Sequence, residues 1–454
     1  MVEIFHHRKE REHAGWRSSR YLRNDLSVDP TVPTRNLQTP RPSGEGHHQS
    51  PNRWSRRRSW VQYVSLTDNS SQPNTYRAPA DEILLSHDKT IAVIDGSGVL
   101  ADPVGINREE LVRLAKARKP VAFFEKSKLS KDGYLVKIED QDVKLPCKSG
   151  YALANLLSLP ESAFPAGETV LDGTDFRNSA HLRFKADLFV PCGGRYVTPH
   201  TLSASIYRFR LCSPEAVNIS NVAALIDSEG KPHFSYIVEG ANLFFTQQAR
   251  LYLEQRKVAL FKDSSANKGG VTSSSLEVLA GLALTTEEYV DLMIFKNGKP
   301  SEFYQNYVRD IQEKISENAA YEFQCIWKEH ARLSGSKHRT IISDELSSDL
   351  NNLQAELESS DLFDDIPSRK GVMRKAIPKT LVDAVGLDEL LKRLPEPYQR
   401  AIFSSWVASR FVSLYGLPLL RTLSHLGIHW KQIYKYGVNG SSVDFFHFAR
   451  DLPN

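Results

Sequence analysis

The stretch KTIAVIDGSG, residues 89–98, decides the fold. Ile91, Ala92, Val93 and Ile94 form an unbroken apolar run of strand length, stopped by Asp95 and a glycine-rich turn. A strand apolar on both faces belongs in a parallel sheet covered by helices rather than on an amphipathic edge. An acid at the carboxyl end of such a strand has two readings. In dinucleotide-binding folds it takes ribose hydroxyls, because a carboxylate accepts two hydrogen bonds in a fork. Alternatively, Asp-Gly simply makes a turn.

Outward from this strand the pattern repeats. Residues 106–118, INREELVRLAKAR, space Leu111, Leu114 and Ala115 as a helix does. Three further short apolar runs follow, ADLFVPCGG, FSYIVEGAN and KVALFKDSS, with the helical stretch TQQARLYLEQR between the last two. Strand, helix, strand alternation predicts an α/β fold with a parallel sheet, whose ligands gather at the carboxyl ends of the strands. Those ends carry Asp95, Cys192 with Gly193, Asn242, and Asp263 through Asn267. For Asn242 the competing reading is an asparagine in the left-handed region after a strand.

Residues 261–283, FKDSSANKGGVTSSSLEVLAGLA, set a lysine, two glycines and a cluster of hydroxyls before an apolar helix pattern. The reading is a turn at Gly269-Gly270, then a helix capped by Ser274 with Glu277 in a capping box. Its free N–H groups and positive dipole end suit a carboxylate, and Lys268 adds charge. A P-loop is excluded, because the order GxxxxGK[ST] is absent.

The segments IAVIDGSGVLADP, DGTDFRN, ADLFVPCGGR, YIVEGANLFFTQQARLYLE and FKDSSANKGGVTSSSLEVLAGLA together resemble the large, NAD-specific glutamate dehydrogenases of fungal type. The resemblance runs from about residue 81 to the C-terminus. It implies NAD as cofactor, and oxidative deamination of L-glutamate to 2-oxoglutarate and ammonia. It also implies Asp95 beside the adenosine ribose, Cys192 and Gly193 as a backbone platform along the coenzyme, and Asn242 facing the nicotinamide ribose or carboxamide. Asn267, Val271 and Ser274 would approach the substrate, and a homotetramer would be the assembly. No catalytic residue is assigned: neither a glycine-rich lysine loop before residue 80 nor a GxGxxG ahead of Asp95 is found. The chain therefore reads as the C-terminal portion of such an enzyme, with little or no turnover alone. The alternative is a non-catalytic fragment that binds nucleotide weakly or associates with an intact homologue.

The expected architecture is an incomplete Rossmann-like parallel sheet over residues 80–290 and a mostly α-helical C-terminal region over 291–454, after a disordered basic leader, 1–79. The missing first strand would leave an unpaired sheet edge. Segments 147–165, 196–213 and 412–432 depart from the family pattern and read as translated non-coding insertions; the third is apolar without a partner pattern.

Composition sets the outer limits. A hydrophobic content of 41% over 454 residues supports two or three ordinary cores. The net charge of +4 sits in the leader, where residues 1–60 hold twelve Lys and Arg against six Asp and Glu. Arg56, Arg57 and Arg58 lie between Trp54 and Trp60, but short charge runs are usually solvated tails, so no nucleic-acid partner is expected. No apolar run approaches membrane-spanning length, and the start lacks a secretory signal core. Cys147, Cys192, Cys212 and Cys325 lack metal-ligand spacing, so no metal is expected, and reduced thiols fit a cytoplasmic location, with a mitochondrial one as the alternative. Downstream, Phe303, Tyr307, Ile311, Ile315, Ala319 and Phe323, then Leu346, Leu350, Leu353 and Leu357, predict long amphipathic helices that pack a core.

Overall fold

The computed structural model describes residues 62–66, 89–117, 119–146, 165–192 and 215–425. Among the described residues, nine strands lie in the first of two units, residues 1–267: β1 Gln62–Leu66, β2 Lys89–Asp95, β3 Gly98–Ala101, β4 Tyr134–Lys137, β5 Gln141–Lys144, β6 Thr169–Asp172, β7 Ala186–Pro191, β8 Phe234–Val238 and β9 Ala259–Phe261. The main sheet has the order β4-β3-β2-β1-β7-β8-β9. Its body, β2-β1-β7-β8-β9, is parallel throughout, and β3 and β4 extend it as an antiparallel edge. Strands β5 and β6 pair separately.

The expected strand at residues 91–94 is present and buried, as is that of ALF; those of ADLFVP and FSYIV are present and buried at their carboxyl ends, with Ser235 exposed. The expected leader needs correction. Residues 62–66 form β1, which sits between β2 and β7 and is parallel to both, so the sheet has no open edge there. The remaining residues of 1–79 lie outside the described residues.

Helices of this unit are α1 Arg108–Ala117, α2 Gly173–Ser179, α3 Gln247–Gln255 and α4 Asp263–Ala266. Thr246 starts α3 by accepting the Ala249 N–H on its side chain, which satisfies one of the unpaired donors of the first turn. The core gathers Ile91, Ile94, Phe189, Phe234, Ile237, Phe244 and Phe245. Phe189 stacks on Phe234 at 4.9 Å and meets Phe244 edge-on at 5.8 Å. Phe244 and Phe245 thus anchor the chain just after β8.

The second unit, residues 268–454, begins before the expected boundary at 290. Its helices are α5 Gly269–Ala283, α6 Thr286–Met293, α7 Glu302–Arg332, α8 Arg339–Glu358, α9 Ile366–Ala376, α10 Lys379–Val385, α11 Leu387–Arg393 and α12 Glu396–His425. The predicted stripe of α7 buries Tyr307, Ile315, Ala319 and Phe323, and that of α8 buries Leu346, Leu353 and Leu357. Pro395 and Pro397 mark the break between α11 and α12, and Pro397 is tolerated in the first turn of α12, where a proline loses no intrahelical bond. The helix is interrupted at Gly416, whose φ of 78° only glycine adopts freely.

Segment 412–432 is corrected over its described part. Val412 and Leu417 are buried, α12 packs on α8, and Arg421 pairs with Asp349 at 2.9 Å and Glu345 at 3.0 Å. It is therefore not without a partner. Segment 196–213 and residues 147–164 lie outside the described residues.

Candidate functional site

Strand register brings the predicted ends to one edge of the sheet. Leu66 on β1 pairs with Ile94 of β2 on one side and Pro191 of β7 on the other. Ile237 pairs with Phe189, and Val238 with Phe261. The chain thus leaves β2 at Asp95, β7 at Cys192, β8 at Glu239 and β9 at Lys262 along a common edge. Strand order reverses at β1, which is where open α/β sheets form their ligand crevice. Gly193 lies outside the described residues.

The end of β8 is held tightly against its neighbours. The Glu239 N–H donates to the Phe261 carbonyl at 3.0 Å, and the Ala241 N–H to the Pro191 carbonyl at 2.8 Å. Between them, a Cβ on Gly240 would lie 2.8 Å from Cys192 Sγ and 3.3 Å from the Pro191 oxygen, so any side chain there would force Cys192 to shift. Cys192 Sγ itself points back to the Val190 carbonyl at 3.5 Å.

Asn242 and Leu243 are exposed just beyond this point, ahead of the buried Phe244 and Phe245. The left-handed residue is Leu243, with φ 55°, and not Asn242, which removes the conformational reading of Asn242. The Asn242 side-chain oxygen accepts from Asn267 Nδ2 at 2.7 Å. Asn242 and Asn267 are therefore brought together.

An ion cluster missed at the sequence level fixes both loops. Arg250 of α3 donates to both oxygens of Glu239, at 2.7 and 2.9 Å, and to Asp263 Oδ1 at 3.3 Å. Asp263 Oδ2 accepts the Leu243 N–H at 2.7 Å. Glu239 and Arg250 are both buried, and burial pushes the Glu239 carboxyl up to about 7 against the opposing Arg250 hydrogen bonds. The only sequence signal was a glutamate directly after a buried strand, and its partner lies eleven residues on.

Asp95 departs from the predicted role. Its side chain has no exposed surface. Oδ1 accepts the Ser97 N–H and hydroxyl, both at 2.6 Å, and Oδ2 accepts the Val121 N–H at 2.8 Å. Burial raises its carboxyl pKa while these bonds and nearby Arg177 oppose the rise. The carboxylate is a fastener of the β2–β3 turn, as the Asp-Gly alternative held, and not an open ribose acceptor.

His181 is also buried here; its ring meets Phe244 edge-on at 5.7 Å, and its Nε2 has no hydrogen-bond partner among the described residues. Burial lowers its pKa to about 4.

In the second unit, the start of α5 differs from expectation in three respects. Gly269 and Gly270 are helical rather than a turn, and Ser274 lies a full turn inside, so it caps nothing. The capping box falls at Thr285 with Glu288, at the start of α6. Lys268 adds no free charge, because both oxygens of Glu322 hold its ammonium at 2.6 Å. The hydroxyls of Thr272, Ser273 and Ser275 bond back to helix carbonyls, whereas among the described residues that of Ser274 makes no hydrogen bond. Val271, on the first turn, is 71% exposed. The amides of Gly269 through Val271 have no intrahelical acceptor.

Among the described residues no cluster of His, Cys, Asp and Glu suits a metal ion, and no helix is long and apolar enough to cross a membrane.

A family profile described as Glutamate/Leucine/Phenylalanine/Valine dehydrogenase matches residues 80–197 and 211–333. The chain is 45% identical over 340 residues to "Glutamate dehydrogenase 2" of Dictyostelium discoideum, covering 74% of this chain and 29% of that protein. It is 44% identical over 340 residues to the "NAD-specific glutamate dehydrogenase" of Neurospora crassa, with the same coverages of 74% and 29%. Against the Saccharomyces cerevisiae protein of that name the identity is 39% over 352 residues, covering 75% and 29%. The chain thus spans less than a third of the length of these relatives. With the profile matching more than half of its residues, the chain belongs to the glutamate/leucine/phenylalanine/valine dehydrogenase family.

Proposed function

We propose that the chain carries the coenzyme-binding part of an NAD-dependent glutamate dehydrogenase, which converts L-glutamate to 2-oxoglutarate and ammonia. The observation that carries this reading is the common carboxyl edge of β2, β1, β7, β8 and β9, with Asn242 and Asn267 hydrogen-bonded at its open end. The residues there fit a dinucleotide. Gly240 keeps the backbone bare where a Cβ would collide, and Asn242 offers an exposed amide whose orientation is set by a neighbour. When bound, the coenzyme supplies the hydride acceptor.

The chain's own residues bind and orient. Cys192 offers its backbone as a platform beside the coenzyme, the role the family likeness also implies for Gly193, which lies outside the described residues, and Asn242 faces the nicotinamide ribose or carboxamide. Asn267 holds Asn242 and approaches the substrate. Val271 packs against the glutamate side chain, and the uncommitted Ser274 hydroxyl donates to a substrate carboxylate. A ribose role for Asp95 is not carried forward, since its carboxylate is buried and fully engaged. A homotetramer, as the family likeness implies, and a cytoplasmic location, with a mitochondrial one as the alternative, belong to the same reading.

A second reading, nucleotide binding without turnover, is favoured by Lys268, whose ammonium Glu322 already holds. Titration with NADH followed by an assay with L-glutamate and NAD separates the two. Saturable NADH binding weakened by Asn242→Ala is expected under both. NADH formed from glutamate supports the first reading and contradicts the second, binding without NADH formation contradicts the first, and absence of NADH binding contradicts the coenzyme assignment.

A further inference from the structure

Leu243 joins a left-handed backbone, with φ 55°, to an apolar side chain that is 50% exposed. Among the described residues of positive φ other than glycine, Asp142, Glu215, Lys257, Asn297 and Ser334 are polar, and Leu243 alone is apolar. The left-handed region crowds the Cβ of any L-residue, and a bulky side chain without a local hydrogen bond is the least suited to it.

Both backbone polar groups of Leu243 are tied. Its N–H donates to Asp263 Oδ2 at 2.7 Å, and its carbonyl accepts the Glu215 N–H at 2.6 Å. Asp263 is itself fixed, because its Oδ1 accepts from Arg250 at 3.3 Å and from the Ser264 N–H at 2.8 Å. The surrounding structure therefore imposes the strained conformation, which is how strain is held at ligand-binding positions. Packing does not require it, since the buried Phe244 and Phe245 anchor this stretch and Leu243 stays half exposed. Glycine or asparagine would make the same turn with less strain, so what leucine adds is its isobutyl group.

The preceding residue, Asn242, is exposed and oriented by Asn267 at 2.7 Å. A branched apolar side chain next to a fixed amide matches a ligand that pairs a flat apolar ring face with an amide substituent. Within the coenzyme the nicotinamide has both, whereas adenine carries no carboxamide.

We propose that Leu243 is a further coenzyme-binding residue, its isobutyl group packing on the nicotinamide ring beside Asn242. The inference rests on the coenzyme reading given above. ADP-ribose, which lacks the nicotinamide, separates the failure of one from the failure of the other.

The full chain and its Leu243→Ala, Leu243→Gly and Leu243→Met variants are each titrated with NADH and with ADP-ribose. Leu243→Ala should bind NADH about tenfold more weakly, the effect of one apolar side chain no longer covering a ring. Leu243→Gly should lose as much, although glycine adopts this backbone freely. Leu243→Met keeps an apolar side chain of similar volume and should stay within about twofold of the wild type. ADP-ribose affinity should be the same in all four proteins. Unchanged NADH affinity in Leu243→Ala or Leu243→Gly would overturn the assignment, and so would equal losses for NADH and ADP-ribose, which mark a backbone role. Wild-type protein that binds ADP-ribose as tightly as NADH contradicts the nicotinamide contact while leaving the coenzyme site standing. If neither ligand binds, the coenzyme reading itself falls, and this assignment with it.

Discussion

Asn267 Nδ2 donates to Asn242 Oδ1 at 2.7 Å, and this single bond joins the loop after β8 to the end of α4 after β9. Neither residue orients itself, so the two act as a unit toward any ligand at the strand ends. Asn242→Ala and Asn267→Ala should each weaken NADH binding by about fivefold, the effect of one net hydrogen bond. The double variant should be little worse than the poorer single one. Fluorescence titration of all four proteins checks this, and strictly additive losses would show the residues to be independent.

Arg250 is the keystone of the buried cluster, because Glu239 and Asp263 both depend on it for charge. Removing one partner of a buried ion pair leaves an uncompensated charge, so Arg250→Met should cost about 3–5 kcal/mol at pH 8. The cost should shrink at pH 5, where Glu239, already pushed up to about 7 by burial, is protonated. Urea unfolding at the two pH values gives the comparison. A loss independent of pH would indicate that packing, not charge, was disturbed.

Gly240 and Cys192 test the close approach of β7 and β8. A methyl group on Gly240 would meet Cys192 Sγ and the Pro191 oxygen, and overpacking of this kind costs about 1–3 kcal/mol. Adding Cys192→Ala removes the nearer obstacle and should restore part of the loss in a double-variant cycle. Equal melting temperatures for Gly240→Ala with and without Cys192→Ala would place the conflict elsewhere.

His181 makes stability pH-dependent with a defined sign. Its pKa is lowered from 6.5 to about 4 by burial, so the unfolded chain takes up the proton first. The folded state should therefore lose stability as pH falls from 6.5 toward 4, by about 3 kcal/mol in total. Glu239 works in the opposite sense, its contribution being full below 4.5 and lost as pH rises through about 7. That contribution is common to both proteins when the wild type is compared with His181→Leu, and their difference isolates the histidine. Parallel pH profiles for the two would show that His181 does not titrate in this range.

What was legible in the sequence follows from what sequence patterns encode. Runs such as Ile91–Ile94 and Ala259–Phe261 announce buried parallel strands, because burial on both faces leaves no polar alternation. QYVSL lacked that mark and sits in a polar leader, so β1 passed unnoticed although it completes the centre of the sheet. The Asp-Gly-Ser-Gly turn signals the antiparallel β3, but the same acid equally suits a ligand group, and the sequence does not separate the two. Asn242 and Asn267 could be named but not joined, and Arg250 could not be found at all, because pairing across strand ends depends on tertiary register. Ser274 looked like a cap only while the glycines before it were read as a turn; once Gly269 and Gly270 are helical, it stands on the helix surface.

The central claim is that the carboxyl edge between β7 and β9 holds the coenzyme. Hydrogen–deuterium exchange of the full chain with and without saturating NADH tests it most directly. Slowed exchange confined chiefly to residues 238–243 and 262–267 is the result expected, and saturable NADH binding that protects other segments while leaving these unchanged would contradict it.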